Sequence, residues 1–144
     1  MATLDEIAEE LELFDDWEQR YQYLIELGEG LPTMPEALKT EDTKVKGCMS
    51  QVWISPYRQS DDAEKIRFYG DCDTSVIKGV LAVLISLVNG KTANEIKTID
   101  IDEIFDRLQL AEHLSPNRHV GVYGIVELMK AQAQQLENSA RQVA

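Results

Sequence analysis

The stretch of residues 76–88 constrains the fold of this 144-residue chain more than any other part of the sequence. Its pattern predicts a helix over about residues 75–89, with apolar side chains on nearly every side of that helix rather than along one stripe. The run is shorter than the ~20 residues that a membrane-spanning helix needs, and Lys78 and Ser86 interrupt it. We therefore expect a central helix that the rest of a single domain, residues 1–144, surrounds.

The segment before this helix predicts an antiparallel hairpin. Residues 51–55 are rich in β-branched and aromatic side chains, and Pro56 either ends this strand or places it at the edge of a sheet. Residues 65–69 alternate between polar and apolar side chains, and Gly70 is expected to end this second strand. Because the polar residues 58–62 lie between the two strands, they are expected to form the turn of the hairpin.

Helical periodicity predicts further helices on both sides of the hairpin. Two come before it, and Gly28 and Gly30 are expected to end the second of them in left-handed backbone. Gly121 and Gly124 lie inside the last helix, where close packing is expected to offset the cost of glycine. The shorter elements and the last helix are expected at about residues 36–38, 93–97, 102–108 and 116–136. A small antiparallel sheet packed with helices makes this an α+β domain.

The charge balance argues against two classes of partner. The chain has 14 Lys and Arg against 26 Asp and Glu, a formal net charge of −12. Nucleic-acid binding depends largely on cationic side chains, and an anionic membrane surface attracts cations, so neither partner is expected. The acidic start has no basic stretch followed by an apolar block, and the two cysteines fit a reducing compartment. We therefore expect a cytoplasmic protein.

The two cysteines have opposite surroundings. Cys48 stands where an irregular segment meets a strand, and Lys44 and Lys46 precede it. Positive charge favours the reactive thiolate, although an unpaired cysteine is more often a small buried apolar residue, so the residues alone leave both interpretations open. Two aspartates flank Cys72 and disfavour its thiolate, so we expect a packed, inert thiol there.

Other kinds of chemistry have little support in the sequence. No serine-hydrolase motif, phosphate-binding glycine loop or dinucleotide fingerprint is present. No pair of ligands has the short spacing of a structural zinc site, so no metal is expected. Arg118 stands in the first turn of the last helix, where the helix dipole disfavours a cation. It either pairs with a carboxylate such as Glu112 or faces a partner's carboxylate or a sulfur anion. The nitrogen and sulfur ligands in the chain are Cys48, Cys72, His113 and His119.

Residues 47–53, Gly-Cys-Met-Ser-Gln-Val-Trp, closely resemble the cysteine motif of the SufE family of sulfur-acceptor proteins. Further blocks resemble the family in the same order along the chain, so that the resemblance covers about residues 15–133. It implies a fold shared with the IscU-type iron–sulfur scaffolds. The further blocks are residues 17–21, 27–28, 70–73, 76–79, 90–92 and 110–121.

The resemblance also implies a function. Cys48 would take sulfane sulfur, as a persulfide, from a SufS-like cysteine desulfurase, stimulate that enzyme, and deliver the sulfur to a SufB-like iron–sulfur scaffold. The pyridoxal phosphate belongs to the donor enzyme, so no cofactor of the chain's own is implied. Asp73 or Ser75 is expected to cap the central helix, and Asp73 thereby to restrain the cysteine loop, while Arg118 is expected to engage the partner. The matching site residues are Cys48 as the catalytic residue, with Gly47, Gln51, Trp53, Asp73 and Arg118 in supporting or partner-binding roles.

Two departures from the family pattern and two alternative functions accompany this interpretation. Met49 stands where the family commonly has Gln or Glu, and Cys72, where a small residue is common, adds a second thiol.

One alternative is an iron–sulfur scaffold on the same fold, although a cluster needs about four ligands and the chain has two cysteines. The other is a non-catalytic partner-binding module in which Cys48 is packing. Ser50 and Gln51 resemble the SufE version of the motif more than that of a related paralogue.

Overall fold

The computed structural model describes residues 3–47, 50–110 and 116–143, with side chains for 3–47, 50–110 and 121–139. The strands form one antiparallel sheet in the order β1-β2-β3, and helices pack against it, which confirms the α+β fold. The elements are α1 (Leu4–Glu12), α2 (Trp17–Glu29), a 3₁₀ turn (Glu36–Leu38), β1 (Val52–Gln59), β2 (Asp62–Cys72), α3 (Ser75–Val88), β3 (Lys91–Thr92), α4 (Ala93–Lys97), α5 (Ile101–Leu108) and α6 (Pro116–Val143).

Helix α3 lies at the centre of the core, as its sequence predicts. It packs against β2 on one side and against α2 and α6 on others, so nearly its whole circumference is buried. The helix ends before Gly90, whose φ of +79° suits glycine. In the described part of the chain, no helix is both long enough and apolar enough to span a membrane. The buried residues of α3 are Ile77, Gly79, Val80, Leu81, Ala82, Val83, Leu84, Ile85 and Val88.

Two glycines bring the backbones of α2 and α3 into contact. A Cβ atom added to Gly79 would collide with the backbone carbonyl of Leu24, and one added to Gly28 would lie 2.9 Å from the backbone nitrogen of Gly79. Helix α2 runs through Gly28, and its C-cap, Gly30, has a right-handed φ of −79°. The prediction that Gly30 ends α2 is therefore confirmed, but its backbone is right-handed; the prediction for Gly28 is wrong, because the helix continues through it and its missing side chain serves packing against α3.

Both strands of the hairpin are longer than predicted. Strand β1 continues through Pro56 because it lies at the edge of the sheet, one of the two positions that its sequence allowed. Gly70 lies inside β2, opposite Ile54, so the prediction that it ends the strand is wrong. A Cβ atom there would lie 2.6 Å from Cδ1 of Ile85 and 3.0 Å from a methyl group of Leu81, so the glycine admits α3 close to the sheet.

Helix α6 covers the outer edge of β1. The side-chain amide of Gln132 donates to the carbonyl of Ile54 over 2.8 Å, and the Arg58 guanidinium donates to the carbonyl of Leu136. The Gln132 bond occupies a backbone carbonyl that an open strand edge would leave free, and the Arg58 bond ties the β1 side chain to the helix. The helix extends beyond the predicted end near residue 136, and the two-residue strand β3, which pairs with residues 65–66, was not predicted because it is too short to show periodicity.

Candidate functional site: the cysteine loop

A backbone pair between Val45 and Val52, here called the neck, closes the base of the loop that contains Cys48 in the sequence. Cys48 and Met49 lie outside the described residues, so the site is defined by the residues on either side of them. The backbone N–H of Val45 donates to the carbonyl of Val52 over 2.8 Å, and both side chains are buried in the core. This pair therefore fixes the positions from which residues 46–51, here called the cysteine loop, begin and end.

The first residues of the loop include a glycine in left-handed backbone and a lysine in an exposed ion pair. Gly47 has a φ of +80°, a left-handed conformation that most other residues adopt only with strain. Lys46 forms an exposed ion pair with Glu41, with Nζ 3.0 Å from the carboxylate. Lys44 forms an isolated antiparallel bridge with Trp53 below the neck. One of the two cations that the sequence places near Cys48 is thus already paired.

Helix α6 supports the same end of the loop. A Cβ atom on Gly124 would lie 3.0 Å from the carbonyl oxygen of Lys46 and 3.2 Å from Cγ1 of Val45. The backbone of the helix therefore lies directly against the first residue of the loop. Close packing at Gly124, expected from its position inside a helix, is confirmed.

Four residues form a hydrogen-bonded clamp at the other end of the loop. The N–H of Gln51 donates to Oδ1 of Asp73 over 3.0 Å, and the N–H of Asp73 donates back to the carbonyl of Gln51 over 3.1 Å. The hydroxyls of Ser50 and Thr74 are 2.6 Å apart, and Thr74 also donates to Asp73 Oδ1 over 3.2 Å. This Asp73 clamp joins the end of the cysteine loop to the start of α3.

Asp73 does not cap α3, so that prediction is wrong. The N-cap residue is Thr74, and no side chain makes a capping bond there, which also excludes Ser75 from the role. The carboxylate of Asp73 turns back toward the loop, where the N–H of Gln51 offers a donor, instead of forward toward the helix. The contact of Asp73 with the loop is therefore direct, through the N–H of Gln51, and does not depend on a cap on the helix.

A charged cluster lies beside Trp53 at the base of the loop. Lys39 Nζ lies 5.3 Å from the centre of the Trp53 ring and 2.7 Å from Oδ2 of Asp71, and Lys78 contacts the other oxygen of Asp71 over 3.2 Å. Burial alone would raise the pKa of Asp71, but hydrogen bonds from Lys39, the Cys72 N–H and Lys78 outweigh it and lower that pKa. The ionised Asp71 thus anchors the segment that leads into the loop.

The second thiol is packed. Cys72 is the last residue of β2, is 7% exposed, and stands opposite Val52 at the neck. Its Sγ lies 3.4 Å from the backbone nitrogen of Thr74, which donates to it. The expected packing of Cys72 is confirmed, while its chemical inertness stays a prediction.

Some predicted site residues have no described side chain. Arg118 lies in the first turn of α6, but its side chain is outside the described part, as are His113 and the proposed N-cap residue Ser115. The described residues include no group of three or more His, Cys, Asp or Glu side chains arranged to hold a metal ion. Sequence reasoning missed the partners Thr74 and Lys39, since both act on the site through residues distant in the chain.

Comparison with known proteins gives one consistent result. The sequence model of the SufE family, described as an Fe-S metabolism associated domain, matches residues 5–133. An uncharacterized SufE-like protein of Rhizobium meliloti (strain 1021) is 38% identical over 135 residues, which is 93% of this chain and 96% of that protein. Another, from Rhizobium etli, is 40% identical over 134 residues, 92% of this chain and 90% of that protein.

A solved structure supports the fold alone. The solution structure of a hypothetical protein from Thermus thermophilus matches with a TM-score of 0.75, covering 94% of this chain and 96% of the other. The two sequences are 18% identical, so the similarity is one of architecture. Helices and sheet are therefore arranged alike over nearly the whole length of both proteins.

Proposed function

This chain belongs to the SufE family, whose domain is associated with Fe–S metabolism, and from that premise we propose that Cys48 carries sulfur as a persulfide between a cysteine desulfurase and an iron–sulfur scaffold. The observation that supports this role is the construction of the cysteine loop. Its neck is fixed by a buried backbone pair, whereas its end is held by the exposed hydrogen bonds of the Asp73 clamp. Such a loop offers a thiol to a partner while the fold beneath it stays unchanged.

The transfer step is a thiol exchange. The Cys48 thiolate attacks the outer sulfur of the donor's cysteine persulfide, the sulfur–sulfur bond in the donor breaks, and the donor cysteine leaves as a thiolate. Cys48 then carries the sulfane sulfur, with no net change in oxidation level. Delivery is a second thiol exchange of the same kind. A thiolate of the scaffold attacks the outer sulfur of the Cys48 persulfide, and Cys48 leaves as a thiolate.

The proposal assigns the chain no cofactor of its own. Pyridoxal phosphate, held by the donor desulfurase, supplies the carbon–sulfur bond cleavage that precedes the transfer. The carrier stimulates the desulfurase by removing sulfur from its cysteine, and it works in the reducing cytoplasm, where an unloaded Cys48 stays a free thiol. The sulfur recipient is a SufB-like scaffold.

Mass spectrometry after incubation with a desulfurase and free cysteine tests the proposal. The wild-type protein should gain sulfur on Cys48 and increase the rate of the desulfurase. Cys48→Ser should keep the wild-type melting temperature, gain no sulfur and give no stimulation. Cys72→Ser is the matched control and should load like the wild type. A Cys48→Ser protein that loads on Cys72 and stimulates fully would overturn the assignment.

Arg118 is proposed to bind the desulfurase. Its place in the first turn of α6, where the dipole disfavours a cation, is the reason to expect a partner-facing role. Arg118→Ala should weaken binding or stimulation, while the melting temperature stays the same or rises slightly. A large loss of stability together with normal stimulation would instead identify an internal ion pair.

A further inference from the structure

The hairpin has one face packed on the core and one face turned away from it. The core side of the hairpin carries the even-numbered residues, of which Arg58 reaches α6 and the buried ones are Val52, Ile54, Ile66, Phe68, Gly70 and Cys72. Helices α3 and α6 therefore lie on one side of the hairpin. The odd-numbered side chains form the outer face, in three cross-strand pairs: Trp53 with Asp71, Ser55 with Tyr69, and Tyr57 with Arg67.

The part of this outer face farther from the cysteine loop is formed by packed rings and is partly open to solvent. Lys39 covers the pair nearest the loop, since it contacts both Trp53 and Asp71. Beyond that pair, the rings of Tyr57 and Tyr69 pack with centres 4.7 Å apart and planes 32° apart, next to the buried Ser55. Both tyrosines keep part of their surface in water.

Arg67 adds a positive charge beside the two tyrosines. It stands opposite Tyr57, is partly exposed, and forms no ion pair with any carboxylate of the described side chains. Tyrosine and arginine are among the residue types that contribute most to protein–protein binding energy. Rings that are already held against each other also lose little freedom on binding.

We propose that Tyr57, Arg67 and Tyr69, here called the tyrosine platform, dock the cysteine desulfurase. This inference rests on the proposed function. The partner surface that would fit the platform has a carboxylate to pair with Arg67 and, beside it, an apolar side chain to pack on the two rings. Tyr57 lies five residues along β1 from Val52 at the loop neck, a distance of roughly 17 Å. A standard interface of ~800 Å² per partner is about 30 Å across, so one surface covers both the platform and the loop.

The distribution of charge favours this face for a partner that carries carboxylates. Residues 1–30 contain ten Asp and Glu against one Arg, so the N-terminal helices repel such a surface. Residues 39–78 contain seven acidic and seven basic residues, and the platform itself contributes a cation without an acid. Charge complementarity of this kind mainly sets the encounter rate and the orientation of the complex.

Charge reversal at Arg67 tests the platform in the full-length protein. Arg67→Glu should weaken equilibrium binding to the desulfurase at least tenfold and keep the wild-type melting temperature. Lys97→Glu, the same charge change at an exposed residue of α4, is the matched control and should change binding less than twofold. A Tyr57→Ala variant tests the apolar part of the contact and should also weaken binding several-fold.

A small donor separates docking from the thiol chemistry. With inorganic polysulfide, the Cys48 thiolate attacks a terminal sulfur and the shortened polysulfide leaves, so no docking is needed. Arg67→Glu should load from polysulfide at the wild-type rate. Wild-type binding by Arg67→Glu, or equal weakening by Lys97→Glu, would overturn the platform. If the wild type binds the desulfurase through the platform but gains no sulfur on Cys48, the proposed function fails and the platform stands.

Discussion

The cysteine loop and the crossing of α2 over α3 both depend on a glycine that lets two backbone segments touch, yet different forces hold them. At the crossing, Gly79 faces the backbone of Leu24 inside the core, where neither segment has room to move. At the loop, Gly124 supports one end, and the other end is held by the Asp73 clamp at the surface. Exposed hydrogen bonds each contribute little net stability, whereas collision within a packed core is costly.

The α2–α3 crossing and the Asp73 clamp therefore differ in how easily they open. The helix crossing cannot separate without exposing the core, so it opens only when the domain unfolds. The clamp can release its bonds to water with little exposure of apolar surface, so it opens by a local fluctuation. A sulfur carrier of the proposed kind needs both a contact that stays closed and a contact that opens, because its loop must move while its base stays in place.

The largest effect is expected from Gly79→Ala. The new methyl group would collide with the carbonyl of Leu24 in a region without space, so the free energy of unfolding should fall by about 3 kcal/mol or more. Urea unfolding followed by circular dichroism measures the change. Gly30→Ala is the control, since the nearest atom would be 3.4 Å away and its backbone is right-handed, and it should stay within about 0.5 kcal/mol of wild type. Equal midpoints for Gly79→Ala and wild type would contradict a rigid crossing.

The features of the fold that follow from burial could be predicted from the sequence, and those that depend on a specific partner could not. The central position of α3 follows from apolar residues all around it. Gly28 looks like a helix end in the sequence because its actual reason, the backbone of Gly79, lies in another helix. Asp73 is suited equally to a helix cap and to a loop contact, and only the location of Gln51 decides between them.

The candidate site shows the same limit. The cysteine motif is local, so residues 47–53 could be recognised as one unit in the sequence. Lys39 was not predicted because its two contacts, with Asp71 and the Trp53 ring, join segments that are far apart in the chain. Loop position and charge alone left Cys48 open to two interpretations, and the resemblance to a family, not periodicity, favoured one of them.

A smaller effect is expected from Asp71, which joins the segment before the loop to the sheet. Its pKa is lowered below the ordinary value of 3.8, so its ionised form stabilises the folded state. That contribution is fully present above the unfolded-state pKa and is lost as the pH falls through the lower, folded-state pKa. At pH 7, Asp71→Asn should reduce the free energy of unfolding by about 1 kcal/mol, a value limited by partial exposure.

The pH dependence gives the measurement for Asp71. Urea unfolding of wild type and Asp71→Asn should differ at pH 7 and converge as the pH is lowered below 3.8. Asp62→Asn is the control, since its ion pair with Lys65 is long, at 3.9 Å, and exposed. A difference that stays constant down to the lowest pH at which the protein folds would mean that charge plays no part in the Asp71 anchor.

Gly124→Ala should separate the loop from the scaffold. Alanine favours a helix over glycine by about 1 kcal/mol, which offsets the strain of a methyl group 3.0 Å from the Lys46 carbonyl. The net change in stability should therefore stay within about 1 kcal/mol. The loop, however, must shift to make room, so the rate at which iodoacetamide alkylates Cys48 should change at least twofold. Unchanged stability together with unchanged reactivity would mean that α6 does not position the loop.

The smallest effect on stability is expected from Asp73→Ala, together with a clear effect on reactivity. The substitution removes the side-chain part of the clamp, namely the bonds that Asp73 Oδ1 accepts from the Gln51 N–H and the Thr74 hydroxyl, and because both are exposed they contribute about 0.5 kcal/mol together. The end of the cysteine loop is then released more often, so alkylation of Cys48 should become several-fold faster, whereas Cys72, buried in β2, should react no faster and serves as the internal control. Asp73→Asn keeps a side-chain oxygen that can accept the same bond, so its rate should lie nearer to wild type. If Asp73→Ala is less stable but Cys48 reacts at the wild-type rate, the carboxylate holds the β2–α3 junction and does not restrain the loop.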